Sequence, residues 1–102
     1  MRETLLKPPA PNLDFGKLPP QEVEIEKAIL SAALIERMAI VEISAIIRSP
    51  EYFYQNENAL IYEAILSLYA AGENIDLLTV TERLRKMGHL DIVGGPYAIG
   101  QL

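Results

Sequence analysis

Apolar residues recur every three or four positions through most of the chain, and this spacing predicts helices rather than strands. The first helix is predicted to begin near Pro20, because proline suits the first helical turn and the glutamates that follow complement the positive end of the helix dipole. Its predicted buried stripe consists of Ile25, Ala28, Ile29, Ala32 and Ala33.

Two further helices follow. The second is predicted over Met38–Ile47 and ends at Ser49-Pro50, since the residue before a proline is pushed away from helical backbone angles. The third is predicted to be capped by Asn56 or Asn58 and to stop at Gly72. The inward faces are predicted to be Ile40, Ile43 and Ile47 in the second helix and Ile61, Ala64, Ile65 and Leu68 in the third.

The fourth helix is predicted to be capped either by Asp76 or by a capping box that joins Thr79 to Glu82, and to end at Gly88. Gly94-Gly95 is a predicted turn, and Pro96 opens a fifth helix. The inward-facing residues of the fourth helix are predicted to be Val80, Leu84 and Met87. The predicted fold is therefore all-α, a small orthogonal bundle of about five helices with short connections.

The chain divides into a proline-rich segment over residues 1–18 and a helical domain over residues 19–102. Prolines lack an N–H donor and favour extended backbone, so the first segment is predicted to be a flexible arm; binding to an SH3-like groove is the alternative. The chain from Pro96 to Leu102 has the pattern of the first turns of a helix without a stop signal. We therefore expect the chain to be part of a larger protein.

Charge changes the picture of possible partners. The formal net charge is −5; residues 1–19 carry +1, and residues 20–102, with six basic and twelve acidic side chains, carry −6. An acidic domain repels phosphate backbones, so direct binding to DNA or RNA is disfavoured. The absence of cysteine and of a secretory signal fits a reducing compartment, and a cytoplasmic location with no membrane partner is expected.

The residues offer little catalytic chemistry. His89 is the only histidine and follows a predicted helix end at Gly88, with no cysteine or close carboxylate pair at metal-ligand spacing. Gly94-Gly95 is followed by Pro96 instead of the lysine and hydroxyl residue of a phosphate-binding loop. We predict no catalytic residue, no cofactor-binding residue and no metal ligand in this chain.

Two surface features leave alternatives open. The basic run Arg83, Arg85 and Lys86 favours a solvated helix end, with a helix-turn-helix DNA-binding regulator as the alternative. A small enzyme is a further, disfavoured alternative. The aromatic residues either pack at helix junctions or anchor a partner. They are Tyr52, Phe53, Tyr54, Tyr62, Tyr69 and Tyr97.

The order and spacing of several short motifs resemble the start of the bacterial replicative DNA helicases of the DnaB family. The resemblance runs from about Leu18 to Leu102. It is carried by Leu18-Pro19-Pro20, Glu24 and Glu26 before Ala28-Ile29-Leu30, Phe53-Tyr54, Ile61-Tyr62, Ala64-Ile65, Ile75 to Val80, Leu84, Gly88, Leu90 and Gly94-Gly95-Pro96-Tyr97. Departures from the family pattern are Ser31-Ala32-Ala33, where glycine is common, and Ala59-Leu60, where a basic residue or histidine is common.

The resemblance implies a part of an enzyme without catalytic activity of its own. It implies the globular head of an N-terminal domain, while ATP, Mg and most DNA contacts belong to a separate ATPase domain. In the family, such heads pair, assemble into a trimer-of-dimers collar on a hexamer, and engage primase during DNA replication. A chain that holds the head alone is expected to be a monomer or a weak dimer.

Overall fold

The computed structural model describes residues 20–102, and within that range all regular structure is helical. The prediction of an all-α bundle of about five helices is confirmed, and the arm predicted over residues 1–18 lies outside the described residues. None of the described helices is long and apolar enough to cross a membrane. The elements are α1 (Pro20–Ile35), α2 (Ala39–Ile46), a 3₁₀ turn (Pro50–Tyr52), α3 (Asn56–Ala70), α4 (Leu77–Met87) and α5 (Gly95–Gly100).

Helix α3 lies at the centre and packs against α1, α4 and the 3₁₀ turn. The predicted inward face of α3 is confirmed, since its four residues are at most 3% exposed. Val80 and Leu84 of α4 are fully buried beside it, and Met87 packs at the edge. The buried core comprises Leu30, Ala33, Ile40, Phe53, Ile61, Tyr62, Ala64, Ile65, Leu68, Val80, Leu84, Val93 and Ile99.

The buried face of α1 differs from the predicted stripe. Leu30 and Ala33 are buried, whereas Ile25 is 55% exposed and Ala28 is exposed as well. The helix is therefore rotated by about one position relative to the prediction. The reason is that Glu26, a charged residue, occupies the first inward position, so the apolar spacing alone indicated the wrong register.

The end of α3 and the start of α4 follow local rules. Gly72 has a φ of 72° and closes α3 in the left-handed conformation, as predicted. At α4 the Asp76 carboxylate accepts a hydrogen bond from the Thr79 N–H, and the Thr79 hydroxyl accepts one from the Asp76 N–H, both at 2.9 Å. The Asp76 cap is thus confirmed, and the Thr79–Glu82 capping box is wrong.

The predicted cap of α3 is also wrong. Gln55 stands at the N-cap and forms no side-chain capping bond, while the side chain of Asn58 is buried inside the first turn. The Glu26 carboxylate of α1, described below, instead accepts hydrogen bonds from the Tyr54 and Gln55 N–H groups immediately before the helix.

Tyr62 connects α3 to the end of α2. Its hydroxyl donates a hydrogen bond to the Ile47 carbonyl at 2.5 Å, and its ring packs against Phe53 with 4.9 Å between centroids. Burial of the phenol disfavours its anion and raises the pKa of Tyr62. The hydrogen bond satisfies a carbonyl at the C-terminal end of α2 and links α2 to α3.

Candidate interaction surfaces

His89 lies just beyond the C-terminal end of α4, as predicted from the sequence. Its backbone N–H donates to the Leu84 carbonyl at 2.9 Å, a bond that closes the helix. The imidazole Nδ1 is buried and stands 4.0 Å from Glu63 Oε1 on α3. Across residues 20–102, no three side chains of the metal-ligating types come together. His89 therefore has one carboxylate neighbour and no constellation for hydrolysis or metal binding.

The glycine pair near the end of the chain is a folded turn. The Gly94 N–H donates to the Asp91 carbonyl at 3.0 Å, and the Gly95 N–H donates to the Leu90 carbonyl at 2.9 Å. A phosphate-binding loop needs such amides free to face its anion, and Pro96 adds no donor. The residues of this turn do not fit a nucleotide.

The basic run on α4 is largely paired with neighbouring side chains. Arg83 donates to the Ser67 hydroxyl at 2.5 Å and to Glu73 at 3.3 Å. Arg85 pairs with Glu82 at 2.5 Å. The connection from α3 to α4 spans residues 71–76, longer than the tight turn of a helix-turn-helix. A phosphate contact by these side chains would have to compete with carboxylates already in place.

The structure separates the aromatic residues that sequence left undecided. Phe53 and Tyr62 are core residues. The other four aromatic side chains are between 42% and 77% exposed: Tyr52, Tyr54, Tyr69 and Tyr97. Exposed tyrosines suit protein interfaces, because the ring buries apolar area while the hydroxyl stays hydrated.

Glu26 holds the start of α3 from a distance in sequence. Its carboxylate accepts hydrogen bonds from the Tyr54 N–H at 2.6 Å, the Gln55 N–H at 3.3 Å and the Asn58 side-chain amide at 2.9 Å. The negative charge also lies at the positive end of the α3 dipole. This contact fixes the angle between α1 and α3 and orients the segment that carries Tyr52 and Tyr54. The residues that donate to Glu26 lie 28 to 32 positions after it in the sequence, so no local sequence pattern indicated this contact.

An open groove of about 470 Å³ lies between the α1–α2 connection and the α3–α4 connection. The large apolar side chains along it are substantially exposed: Ile35 75%, Met38 65%, Val41 42% and Tyr69 42%. Isolated exposed apolar residues are ordinary, but several around one concavity mark an interaction site. The groove was not predicted from the sequence, although α1 has apolar residues outside a single stripe, and these were a signal for it.

Fold and surfaces together define a helical domain that has several paired or capping polar side chains and that also exposes large apolar side chains and tyrosines. The chain belongs to the DnaB-like helicase N-terminal domain family, whose model matches residues 18–102. This confirms the predicted family, and the helix-turn-helix regulator is not favoured.

Individual proteins agree with this assignment. The chain is 42% identical over 87 residues to the replicative DNA helicase DnaB of Rhodothermus marinus and 36% identical over 86 residues to that of Geobacillus stearothermophilus. These alignments cover 85% and 84% of this chain, but 9% and 19% of the relatives. The chain thus spans a small part of the length of the curated relatives it matches.

A solved structure shows the same fold. The crystal structure of the N-terminal domain of DnaB helicase from Mycobacterium tuberculosis superimposes with a TM-score of 0.76 at 32% identity, covering 82% of this chain and 58% of that one. The predicted DnaB N-terminal-domain-like fold is confirmed.

Proposed function

We propose that this chain is the non-catalytic head of the N-terminal domain of a replicative DNA helicase, where it serves ring assembly and primase docking during DNA replication. The observation that carries the proposal is the family match over residues 18–102. The surface agrees with it, since it includes exposed apolar side chains and tyrosines suited to protein contacts.

ATP-driven DNA unwinding, in this proposal, belongs to the longer protein of which the chain is a domain. The relatives are named replicative DNA helicases, and the chain covers a small fraction of their length. ATP and Mg do not fit the residues described here, because the Gly94 and Gly95 amides are already bonded within the chain. The nucleotide site and the main DNA contacts are therefore assigned to another domain. A cytoplasmic location is part of the proposal because the relatives are replicative DNA helicases.

A titration of DNA into the chain tests the scaffold role against DNA reading. Fluorescence anisotropy with labelled single-stranded and duplex DNA is expected to show no binding at about 50 mM salt, since residues 20–102 carry six basic and twelve acidic side chains. Tight binding that weakens steeply at about 200 mM salt would overturn the proposal.

Primase docking has its own test. Isothermal titration of primase from the same organism into this chain is expected to give a binding heat. The binding heat of the Tyr97→Ala variant, which lacks an exposed tyrosine, is compared with that of Ala28→Ser. Ala28 is exposed on α1, and this control substitution removes little surface. No heat with the parent chain would remove primase docking from the proposed function.

A further inference from the structure

The groove between the α1–α2 and α3–α4 connections has an apolar floor. Ala33 and Ile40 are 3% exposed, and Ile75 packs against the core from the loop. The exposed apolar side chains Ile35, Met38, Val41 and Tyr69 line its sides. With a volume of about 470 Å³, the groove falls in the size range of small-ligand pockets, which accommodate a few side chains. A short apolar segment therefore suits it better than a whole domain.

The charged residues around the groove are unevenly distributed. Glu73 and Asp76 are exposed on the α3–α4 side, whereas Arg37 is exposed on the α1–α2 side. Because residues 20–102 carry a net charge of −6, the rest of the domain does not offset the acidic side. A segment that combines large apolar side chains with basic ones would complement both the floor and the acidic side.

The first residues of this chain are such a segment. Residues 1–7 combine three large apolar side chains with two basic residues and a single acidic one, in the order Met1-Arg2-Glu3-Thr4-Leu5-Leu6-Lys7. They precede the described part of the chain, which begins with Pro20 at the start of α1. Their composition matches the apolar floor and the unequal charge of the groove.

The length of chain before α1 selects these residues over later ones. The groove lies at the far end of α1, because Ala33 and Ile35 line it, and the 16 residues of α1 measure about 24 Å at about 1.5 Å each. The twelve residues between Lys7 and Pro20 span up to about 37 Å at about 3.1 Å each. Only four residues separate Phe15 from Pro20, and they span about 12 Å. Residues 1–7 can therefore reach the groove, and Phe15 cannot.

We propose that residues 1–7 occupy this groove within the same molecule, with the following twelve residues returning along α1. A short tether gives the segment an effective concentration on the order of millimolar, so even a contact with a dissociation constant of about 1 mM is half occupied. The docked segment covers Ile35 and Met38, and any other protein that uses the groove has to displace it. The inference goes beyond the proposed function and does not depend on it.

A spin label on the segment tests the docking directly. The chain has no cysteine, so Thr4→Cys gives a single attachment point for a nitroxide. In the full ¹⁵N-labelled chain, paramagnetic broadening is expected to be strong at Met38, Tyr69 and Ile75. It should be weaker at Gln101, which lies near the start of α3, whereas the groove lies at the end of α3. Broadening that is no stronger in the groove than at Gln101 overturns the inference.

A pair of variants in the segment tests which residues dock. Leu5→Glu in the spin-labelled chain is expected to weaken docking about tenfold or more, the size of an interface hot spot, so that broadening at Tyr69 falls several-fold. Leu18→Glu is the matched control, because it makes the same chemical change one residue before Pro19-Pro20, too close to α1 to reach the groove. Equal broadening at Tyr69 in the two variants contradicts the inference.

A second pair tests the groove itself. Met38→Glu places a charge among the exposed apolar side chains and is expected to reduce the broadening at Tyr69 as Leu5→Glu does. Ile46→Glu is its control, since Ile46 is 75% exposed on α2 and does not line the groove. Equal reductions in the two variants, or a reduction in the control alone, overturn the assignment of the groove.

A mixing experiment identifies the molecule that supplies the segment. Spin-labelled chain without ¹⁵N is mixed with ¹⁵N-labelled chain that carries no spin label, at the concentration used above. Docking within one molecule is expected to leave Met38 and Tyr69 of the ¹⁵N-labelled chain without broadening. Broadening as strong as in the doubly labelled chain would show that the segment binds a second copy, and would overturn docking within the molecule.

Discussion

Helices α3 and α2 contain similar apolar residues but bury them to very different extents. In α3, Ile61 and Ile65 are almost completely buried against α4 and the 3₁₀ turn. In α2, only Ile40 is fully buried, and Ile46 is 75% exposed although its helix is more apolar. The difference lies in the neighbours, since α3 is enclosed by three elements and α2 has one principal neighbour, α1. Apolar composition therefore predicts a helix face, but the number of packed neighbours decides whether that face is buried as core or stays exposed.

The largest expected effect is a direct test of that comparison. Ile65→Ala leaves a cavity in the core and is expected to lower the free energy of unfolding by about 2–5 kcal/mol. Ile46→Ala makes the same chemical change at an exposed site and is expected to stay within about 0.5 kcal/mol of the parent. Urea denaturation measures both. Similar losses for the two variants would show that the α2 side is as closed as the α3 side.

The contact of Glu26 on α1 with the start of α3 gives the next largest expected effect. Glu26→Ala removes the acceptor of three hydrogen bonds, including that of the buried Asn58 amide, and is expected to cost about 1–3 kcal/mol. Glu24→Ala, two residues earlier and exposed, should be close to neutral. Thermal unfolding of both variants measures the difference, and a neutral Glu26→Ala would contradict the capping role.

Local and distant causes explain which parts of the fold could be predicted. The Asp76–Thr79 cap, the Gly72 and Gly88 stops and the α3 stripe depend on neighbours within four residues, and sequence indicated them. The α1 register and the α3 cap depend on Glu26, whose partners are about thirty residues away in the chain. The groove depends on how two connections approach each other, so neither connection alone predicts it.

Asp76 caps α4, and two substitutions separate its hydrogen bond from its charge. Asp76→Ala removes the cap and is expected to cost about 1 kcal/mol. Asp76→Asn keeps a good capping residue but removes the charge, so stability should be nearly retained. Urea denaturation of both variants measures the difference, and equal losses in the two would contradict the role of the capping hydrogen bond.

The smallest effect concerns Tyr62 and alkaline pH. Tyr62→Phe removes the bond to Ile47 and is expected to cost about 1 kcal/mol at neutral pH. The pKa of Tyr62 is raised in the folded chain, so the unfolded chain loses this proton at lower pH. The contribution is therefore present below about pH 10 and is lost as pH rises above it.

A pH series of urea denaturation checks this sign. The parent is expected to lose stability above about pH 10 more steeply than Tyr62→Phe. Tyr97→Phe serves as the control, because Tyr97 is 77% exposed. Equal alkaline slopes for the parent and Tyr62→Phe would rule out the effect.

The central claim is that α3 is enclosed as core, whereas α2 packs on fewer neighbours and leaves apolar side chains exposed. Amide hydrogen exchange of the ¹⁵N-labelled chain tests it most directly. Slow exchange is expected at Ile61, Ile65 and Leu84, and faster exchange at Val41 and Ile46. Equal protection of the amides in α2 and α3 would contradict the claim.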